Sequence, residues 1–293
     1  MKQEFRVRER VVLWIIFALM ALLAISILTP IFWAGYSSTK TELDYYLNVM
    51  GWPNETNFEN FIRVFTHLNV KVTTENGQET IGFIQMFINS VVYSTCDSLI
   101  QVLMPTLLAY AVARYDFVGK KAITTVNIFV MIIPILGSLP AKLTMLKDLN
   151  IYNNMFLFVL TQNGAFGFYF LLLCGTCRGL SQSYSEAAFI DGAGHFTVMI
   201  KIMMPMMLPT MCMIFILSFV GSWNTYTPFL FYLPKFPNLF LGMYRFQNEA
   251  SINYATMPEI LAGLLIVAVP SAILYLSSQK LLMSSFIVGG LKG

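Results

Sequence analysis

Residues 11–33 read VVLWIIFALMALLAISILTPIFW, and this stretch decides the fold because it contains no charged side chain. A helix needs roughly 20 apolar residues to cross the hydrocarbon core of a bilayer. A charged side chain at its centre costs roughly 2.5–3.5 kcal/mol on insertion scales. The whole chain has the same character, since 57% of its 293 residues are hydrophobic and 11% are charged, against roughly 25% charged in a soluble domain. The sequence therefore predicts a membrane protein.

Six apolar stretches of this kind are separated by polar segments, which predicts an all-α, polytopic membrane protein with six transmembrane helices. The first is expected to be a retained span and not a signal peptide, because it exceeds the roughly 7–15 residues of an h-region. The fourth begins with several Asn and Gln residues, so its spanning part is expected to start near Phe156. The expected spans are about 11–34, 87–113, 122–141, 156–177, 205–232 and 260–279.

The distribution of Lys and Arg predicts the orientation, because cytoplasmic loops carry an excess of both. With residues 1–10 as a cytoplasmic tail, eleven of the 18 Lys and Arg residues fall on the inside. Both termini are then cytoplasmic in a multi-pass membrane protein. Residues 35–86 form an outside loop, and residues 178–204 form a cytoplasmic loop.

The outside loop has its own local pattern. Apolar residues recur at helical spacing behind Asn57, a good N-cap residue, which predicts an amphipathic helix; they are Phe58, Phe61, Ile62 and Phe65. Asn76-Gly77 lies between two β-prone runs and predicts a small hairpin. Two interpretations stay open: a helix and turn packed at the membrane surface, or a docking surface for an external partner.

Motifs for catalysis, cofactors and metals are missing from the sequence. Gly119-Lys120-Lys121 lacks the remaining residues of a phosphate-binding loop, so ATP hydrolysis by this chain is not expected. The two histidines, His67 and His195, are far apart and have no zinc-protease spacing. Cys174 and Cys177 form a CxxC inside an apolar stretch, where helix packing is the expected role. No catalytic, cofactor-binding or metal-binding residue is assigned.

Asp97 is the one ionisable residue that falls deep within a predicted span. An intramembrane carboxylate is by default a functional residue, but it can also simply bond to neighbouring Ser or Asn side chains, and the sequence leaves both interpretations open. An ion-coupled secondary carrier of a small polar solute is the alternative function. It predicts paired intramembrane charges or an inverted repeat, and a membrane-embedded enzyme predicts a catalytic cluster; the sequence shows neither pattern.

The segment between the fourth and fifth spans has the clearest local pattern. It reads SYSEAAFIDGAG over residues 183–194. Ser183 and Glu186 fit a capping box, and Gly192 can take the positive φ that ends a helix. The pattern predicts a short interfacial helix, a sharp turn and a second helix that re-enters the membrane near Pro205.

This segment resembles the EAA loop of binding-protein-dependent ABC importers. The resemblance is carried by Glu186, Ala187, Ala188, Gly192, Ile202 and Pro205, with Met204 where the family usually has Leu. The sequence from Glu186 to Ala193 is similar to that of the second, shorter permease subunit of maltose-type carbohydrate importers. Further similarities to that family occur in the same order along nearly the whole chain. They are Asn89-Ser90, the run from Ala109 to Phe117, Pro134 and Pro140, Trp223-Asn224 and the final glycines.

The resemblance implies a mechanism and a set of partners. The partners are a second permease, a cytoplasmic ABC ATPase dimer, an extracellular solute-binding protein, a sugar substrate and the lipid bilayer, with no nucleic acid and no cofactor. The implied role of this chain is half of a transmembrane pathway whose coupling loop responds to closure of the ATPase dimer. The residues expected to couple to the ATPase are Glu186, Ala187, Ala188, Asp191, Gly192 and Gly293, and the candidate pathway residues are Trp223, Asn224 and Tyr226.

Overall fold

The computed structural model describes residues 2–74, 77–133, 137–162, 165–248 and 255–289, and these residues are mostly helical. In chain order the elements are α1 (Lys2–Ser37), α2 (Glu42–Leu47), α3 (Glu59–His67), β1 (Val70–Thr74), β2 (Gly77–Ile81), α4 (Phe83–Arg114), α5 (Lys120–Ile132), α6 (Ser138–Asp148), α7 (Met155–Gln162), α8 (Phe168–Gly179), α9 (Ser183–Ile190), α10 (His195–Val198), a π-helical segment (Met199–Met203), α11 (Met204–Trp223), α12 (Thr227–Phe231), α13 (Leu239–Asn248) and α14 (Met257–Gly289). The chain divides into two compact units, residues 1–69 with 245–268 and residues 70–244 with 269–293.

Four helices in the described part of the chain are long and apolar enough to cross a bilayer. They are Glu9–Ser37, Phe83–Arg114, the continuous run His195–Trp223, and Met257–Lys280. These coincide with the predicted first, second, fifth and sixth spans. The fifth helix ends at Trp223, before the predicted limit of 232, and the short helix α12 follows it.

The predicted third and fourth spans are each divided between two shorter helices. Helix α5 ends at Ile132, and Ile133 has extended backbone (φ −76°, ψ 114°). The residue before a proline avoids the helical region, and Pro134 follows, so the chain leaves the helix there. Helix α7 ends at Gln162, and α8 starts after Gly167, whose φ is +125°. An apolar stretch sets the length that can span a membrane, but it does not require one unbroken helix.

In the first unit, α1 is an isolated apolar helix. None of its most apolar 18-residue window is buried within this chain. Trp14, Leu19 and Leu22 are each more than three-fifths exposed. Such a surface is unfavourable in water and favourable in lipid or against another membrane chain, in agreement with the predicted first span.

Buried polar groups hold the segment that follows α1. Lys40 has no exposed surface, and its ammonium donates to the carbonyls of Asn48 (2.5 Å) and Val49 (3.3 Å). The amide of Asn60 donates to the carbonyls of Ser38 and Lys40, at 2.8 Å each. Since buried polar groups without partners are costly, these bonds fix the loop between α1 and α3.

Helix α3 contains Phe61, Ile62 and Phe65 of the predicted apolar residues, and none of them forms its buried face. Asn60 and Val64 form its buried face, whereas Phe58, Ile62 and Phe65 are each at least half exposed. The helix begins at Glu59, and its N-cap position is Phe58. Asn57 therefore lies one residue before the N-cap position. Its side-chain oxygen still accepts a hydrogen bond from the Glu59 amide at 3.0 Å.

An ion pair joins α3 to the start of α14 within the same unit. The Arg63 guanidinium lies 3.2 Å from the carboxylate of Glu259, which is only 3% exposed. This hydrogen bond is the main cause of the raised pKa of Arg63. The same carboxylate accepts from the Thr256 amide at 2.9 Å.

The second unit opens with the predicted hairpin. Strands β1 and β2 pair antiparallel, from Val70 with Ile81 to Thr74 with Gly77. This confirms the two predicted strands, while Asn76 of the predicted turn lies outside the described residues. Val70 and Val72 are buried, as expected for alternate residues of a half-buried strand.

Helices α4, α8 and α11 form the main core of the second unit. Apolar residues from all three meet in one cluster that includes Ala109, Phe170, Leu173 and Ile214. Cys174 and Cys177 lie in this cluster, and both are free thiols. The Cys174 thiol contacts the Ala109 carbonyl at 3.6 Å, so the CxxC pair packs α8 against α4.

Candidate functional site

The short helix expected between α8 and the re-entering helix is present as α9, Ser183–Ile190. The predicted capping box is wrong, because Gln182 holds the N-cap position and makes no side-chain capping bond. Ser183 therefore lies inside the first turn. The Ser181 hydroxyl oxygen accepts from the Ser183 amide at 3.2 Å and lies 2.7 Å from the Ser183 hydroxyl.

The carboxyl end of α9 has the predicted glycine turn. Gly192 has φ +81°, a left-handed conformation that only Gly adopts without strain. The Gly192 amide donates to the Phe189 carbonyl (3.0 Å), and the Ala193 amide donates to the Ala188 carbonyl (2.9 Å). These two bonds are the pattern of a Schellman motif, which satisfies the last carbonyls of a helix. The carboxyl end of α9 is thus fixed by hydrogen bonds of its own backbone.

The two faces of α9 have different surroundings. Ser185 and Ala188 are buried, and the Ser185 hydroxyl contacts the Met203 sulfur at 3.5 Å. Glu186 and Ala187 are exposed, and Ile190 is 86% exposed. The two alanines therefore differ: Ala187 lies on the open face, whereas Ala188 belongs to the protein's own core.

The buried face of α9 packs into the ends of the long helices. Ala188, Val198, Met199 and Met203 belong to the same apolar cluster as residues of α4, α8 and α11. The buried face of α9 is therefore close-packed against these three helices, and close-packed interiors resist compression. Glu186 lines a cavity of about 210 Å³ beside α9 together with Tyr110, Arg114, Tyr115, Gln182, Ser185 and Phe189.

Three polar residues fix the surroundings of α9, and the sequence did not single them out for this role. The Arg114 guanidinium donates to the carbonyls of Cys177 and Leu180, at 2.8 Å each, and so joins the end of α4 to the end of α8. The Tyr115 hydroxyl lies 3.0 Å from His195 Nδ1. The sequence contained a clue to two of them, because Arg114 and Tyr115 belong to the run from Ala109 to Phe117 that resembles the permease family.

The re-entering helix contains a feature that hydropathy does not detect. Residues Met199–Met203 form a π-helical turn between α10 and α11. Single π-turns inside α-helices are frequent at functional sites. This one lies where the chain passes from the interfacial segment into the long apolar helix.

The remaining expected coupling residues have simple positions. Asp191 is the C-cap of α9 and is exposed. Gly293 lies outside the described residues.

The loop after α4 contains an ion pair. Asp116 pairs with Lys120 at 2.8 Å, and this hydrogen bond lowers the pKa of the Asp116 carboxyl.

The candidate pathway residues have different surroundings within this chain. Trp223 is 1% exposed and lies between Phe87 and Phe219, with both ring centroids at 5.9 Å. Tyr226 stacks on Tyr244 at 4.4 Å, and Asn224 is the exposed C-cap of α11. None of the three lines the polar cavity beside Asp97.

Asp97 lies at a polar cavity of about 350 Å³. Its carboxylate accepts from the Ser222 hydroxyl and from the Gln101 amide, the latter at 2.8 Å. The sequence left open whether Asp97 has a function or simply bonds to neighbouring Ser or Asn side chains, and the structure contains a bond to Ser222. Among the described residues, no three His, Cys, Asp or Glu side chains are close enough to hold a metal ion.

Comparison with known proteins identifies the family of this chain. Residues 101–285 match the sequence model of the family described as "Binding-protein-dependent transport system inner membrane component". The chain is 23% identical to the galactooligosaccharides transport system permease protein GanQ of Bacillus subtilis (strain 168), over 100% of both chains. It is 27% identical to the melibiose/raffinose/stachyose import permease protein MelC of the same organism, over 95% of this chain and 96% of that protein.

A solved structure is similar in fold. It is a chain of a bacterial ABC transporter involved in the import of the acidic polysaccharide alginate, with a TM-score of 0.73 and 22% sequence identity. The similarity covers 92% of this chain and 96% of that chain.

Proposed function

Because the chain belongs to the family of binding-protein-dependent transport system inner membrane components, we propose that it is one of two permeases of an ABC importer that carries a sugar or oligosaccharide. Its partners are a second permease, a cytoplasmic ATPase dimer and an extracellular solute-binding protein. ATP hydrolysis belongs to the ATPase chains. The family is binding-protein-dependent, so the ion-coupled carrier loses its support.

The observation that carries this proposal is the pair of faces on α9. The buried face is packed into the ends of α4, α8 and α11, and the exposed face presents Glu186, Ala187 and Ile190. An element that is fixed to the spanning helices on one side and open on the other can transmit the movement of a partner. The ATPase dimer is the proposed occupant of the open face.

The proposed topology has six spans with both termini cytoplasmic. The third span comprises α5 and α6, and the fourth comprises α7 and α8. Interrupted helices of this kind are tolerated in membranes where they are surrounded by protein or line a cavity. The excess of Lys and Arg on the inside supports the orientation, which places α9 on the same side as the ATPase.

The sugar as substrate is supported by the relatives. GanQ and MelC are named for transport of galactooligosaccharides and of melibiose, raffinose and stachyose. These names support a sugar or oligosaccharide as the substrate class that we assign to this chain.

The test is reconstitution of the chain with its ATPase, second permease and binding protein in liposomes. We expect ATP-dependent uptake of a sugar or oligosaccharide, and we expect Glu186→Lys to abolish uptake while expression and membrane insertion stay normal. The matched control is Glu9→Lys, because Glu9 is an exposed acidic residue far from α9 in the sequence. Wild-type uptake by the Glu186→Lys variant would show that α9 does not couple transport to ATP.

A further inference from the structure

The segment that follows α1 in the first unit carries large apolar side chains that this chain leaves exposed. On α2, Leu43, Tyr46 and Leu47 form one open face, since residues i, i+3 and i+4 of a helix lie together. In the loop after α2, Met50 and Trp52 are each 77% exposed. A large exposed apolar surface marks a site of interaction with a protein or a membrane.

Helix α3 has an exposed apolar side that is separate from its buried side. Phe58, Ile62 and Phe65 follow one another at i, i+4 and i+7, so they lie on the same side of the helix. The charged side chains of Glu59 and Arg63 are also exposed, and they lie on a different side. An apolar stripe beside a charged one is typical of a helix that lies at a membrane surface.

Helix α1 fixes where this segment lies along the membrane normal. The charge-free run from Val11 to Trp33 is about 33 Å long at a rise of roughly 1.5 Å per residue. This length is close to the hydrocarbon core of a bilayer, roughly 30 Å. Trp33 and Tyr36 therefore lie at the far edge of the core, the level at which Trp and Tyr are enriched in membrane proteins.

The exposed loop after α2 is bonded to that same end of α1. Trp33 Nε1 donates to the Val49 carbonyl at 3.0 Å, and the Tyr36 hydroxyl donates to the Met50 carbonyl at 2.8 Å. The ring of Trp52 lies 4.8 Å from the ring of Tyr36. Met50 and Trp52 are thus held at the boundary between hydrocarbon and headgroups.

The start of α3 is held at the residues that come directly after α1. The Asn57 backbone amide donates to the Thr39 carbonyl at 2.6 Å. The Asn60 side chain donates to the carbonyls of Ser38 and Lys40. Since α1 ends at residue 37, α3 begins close to the same boundary.

We propose that residues 43–65 form a membrane anchor, whose exposed apolar side chains insert among the lipid headgroups on the outer side of the bilayer. The inference goes beyond the proposed function, because it assigns lipid as the partner of a loop that the proposed topology places outside. The anchor continues the surface of α1, whose most apolar window is not buried at all within this chain.

A solute-binding protein fits this surface poorly. Such a partner must dock and leave again, and interfaces of this kind are only about as apolar as the rest of a protein surface. The exposed face of α2 and the apolar side of α3 instead combine aliphatic side chains with Trp52 and Tyr46. Amphipathic rings of this kind suit the headgroup level, where one end is apolar and the other wet.

The anchor is joined to two spans. Besides its bonds to the end of α1, its Arg63 guanidinium bonds to Glu259 in the first turn of α14. The segment that contacts the headgroups therefore holds the outer ends of both the first and the sixth span.

The test places a photo-reactive diazirine amino acid at single positions of the chain, in the assembled importer in liposomes of phosphatidylcholine and phosphatidylglycerol. After illumination, mass spectrometry identifies what is attached to the chain. We expect lipid adducts at positions 52 and 62. The matched control is position 66, because Thr66 is exposed on α3 but lies away from the apolar side, and we expect only background there.

Tryptophan fluorescence gives a second measurement. Trp52→Phe removes one of the four tryptophans and keeps an apolar ring in place. The emission that this substitution removes is expected to be quenched when the liposomes contain phosphatidylcholine brominated near the headgroup.

Each outcome has a separate meaning. Crosslinks from positions 52 and 62 to the binding protein or to the second permease, without lipid adducts, overturn the anchor, and so does unquenched emission from Trp52. Equal yields of lipid adduct at positions 62 and 66 overturn the assignment of the apolar side of α3. Neither measurement uses transport, so an importer that hydrolyses ATP and carries no sugar contradicts the proposed function alone.

Discussion

Ala187 and Ala188 are neighbours in the chain, but their side chains meet different surroundings. Ala188 is 8% exposed and contacts the core of α4, α8 and α11. Ala187 is exposed. The resemblance to the permease family assigns both to contact with the ATPase. In the structure only Ala187 is exposed, because successive residues of a helix point about 100° apart.

Leucine substitutions at the two alanines test this separation. Ala188→Leu is expected to destabilise the protein by about 1–3 kcal/mol through overpacking, measured as a lower thermal unfolding midpoint in detergent. Ala187→Leu is expected to keep the wild-type midpoint and to reduce transport per ATP, because only a partner meets it. Equal loss of stability in both variants contradicts the assignment of faces.

The Arg63–Glu259 pair gives a second prediction at the residue scale. Arg63→Met leaves the buried Glu259 carboxylate without its cation, so we expect a loss of about 1–2 kcal/mol, reduced from the fully buried case because the Arg63 side chain is 46% exposed. The control is Glu59→Gln, which removes the exposed partner of Arg63 and is expected to cost less than about 0.5 kcal/mol. Thermal unfolding in detergent measures both, and equal midpoints contradict the prediction.

At the scale of elements, the end of α9 depends on one backbone conformation. Gly192→Ala forces an L-residue into φ +81° and is expected to cost about 1–2 kcal/mol. The turn then relaxes and transport per ATP falls. Gly194→Ala is the control, because Gly194 has φ −74° and ψ 158°, which Ala adopts readily. Normal coupling in Gly192→Ala would mean that a fixed helix end is not needed.

The Arg114 bonds join two elements and give another prediction. Arg114→Met removes both bonds to the carbonyls of Cys177 and Leu180 and is expected to cost about 2 kcal/mol, because hydrogen bonds to charged groups are worth more than neutral ones. Arg178→Met, at the exposed end of α8, is expected to keep the wild-type unfolding midpoint. A midpoint for Arg114→Met that equals that of Arg178→Met contradicts the role of this bond pair.

Local sequence patterns predicted some of these elements and missed others for physical reasons. Gly192 was predicted as a helix end because few residues tolerate positive φ, and the structure confirms it. The capping box at Ser183 failed because Ser181 offers a competing oxygen, and sequence spacing alone does not rank the two. The π-turn at Met199–Met203 could not be predicted, because hydropathy does not distinguish a π-helical turn from an α-helical one.

At the scale of the whole molecule, apolar length predicted the class of protein well. Four of the six predicted spans coincide with long helices, because bilayer thickness sets a minimum length. The interruption of the other two depends on local backbone conformation at Ile133 and Gly167. The cavity was not predicted, because Asp97 and Ser222 are brought together only by packing of α4 and α11.

The central claim is that the exposed face of α9 contacts the ATPase. A photo-crosslinking amino acid at position 190 tests it most directly in the assembled importer, with position 62 as control. Both native side chains are exposed, 86% at Ile190 and 65% at Ile62, and the proposed topology places them on opposite sides of the membrane. The account predicts a crosslink from position 190 to the ATPase subunit and none from position 62. An assembled, ATP-hydrolysing complex in which position 190 gives no such crosslink would contradict it.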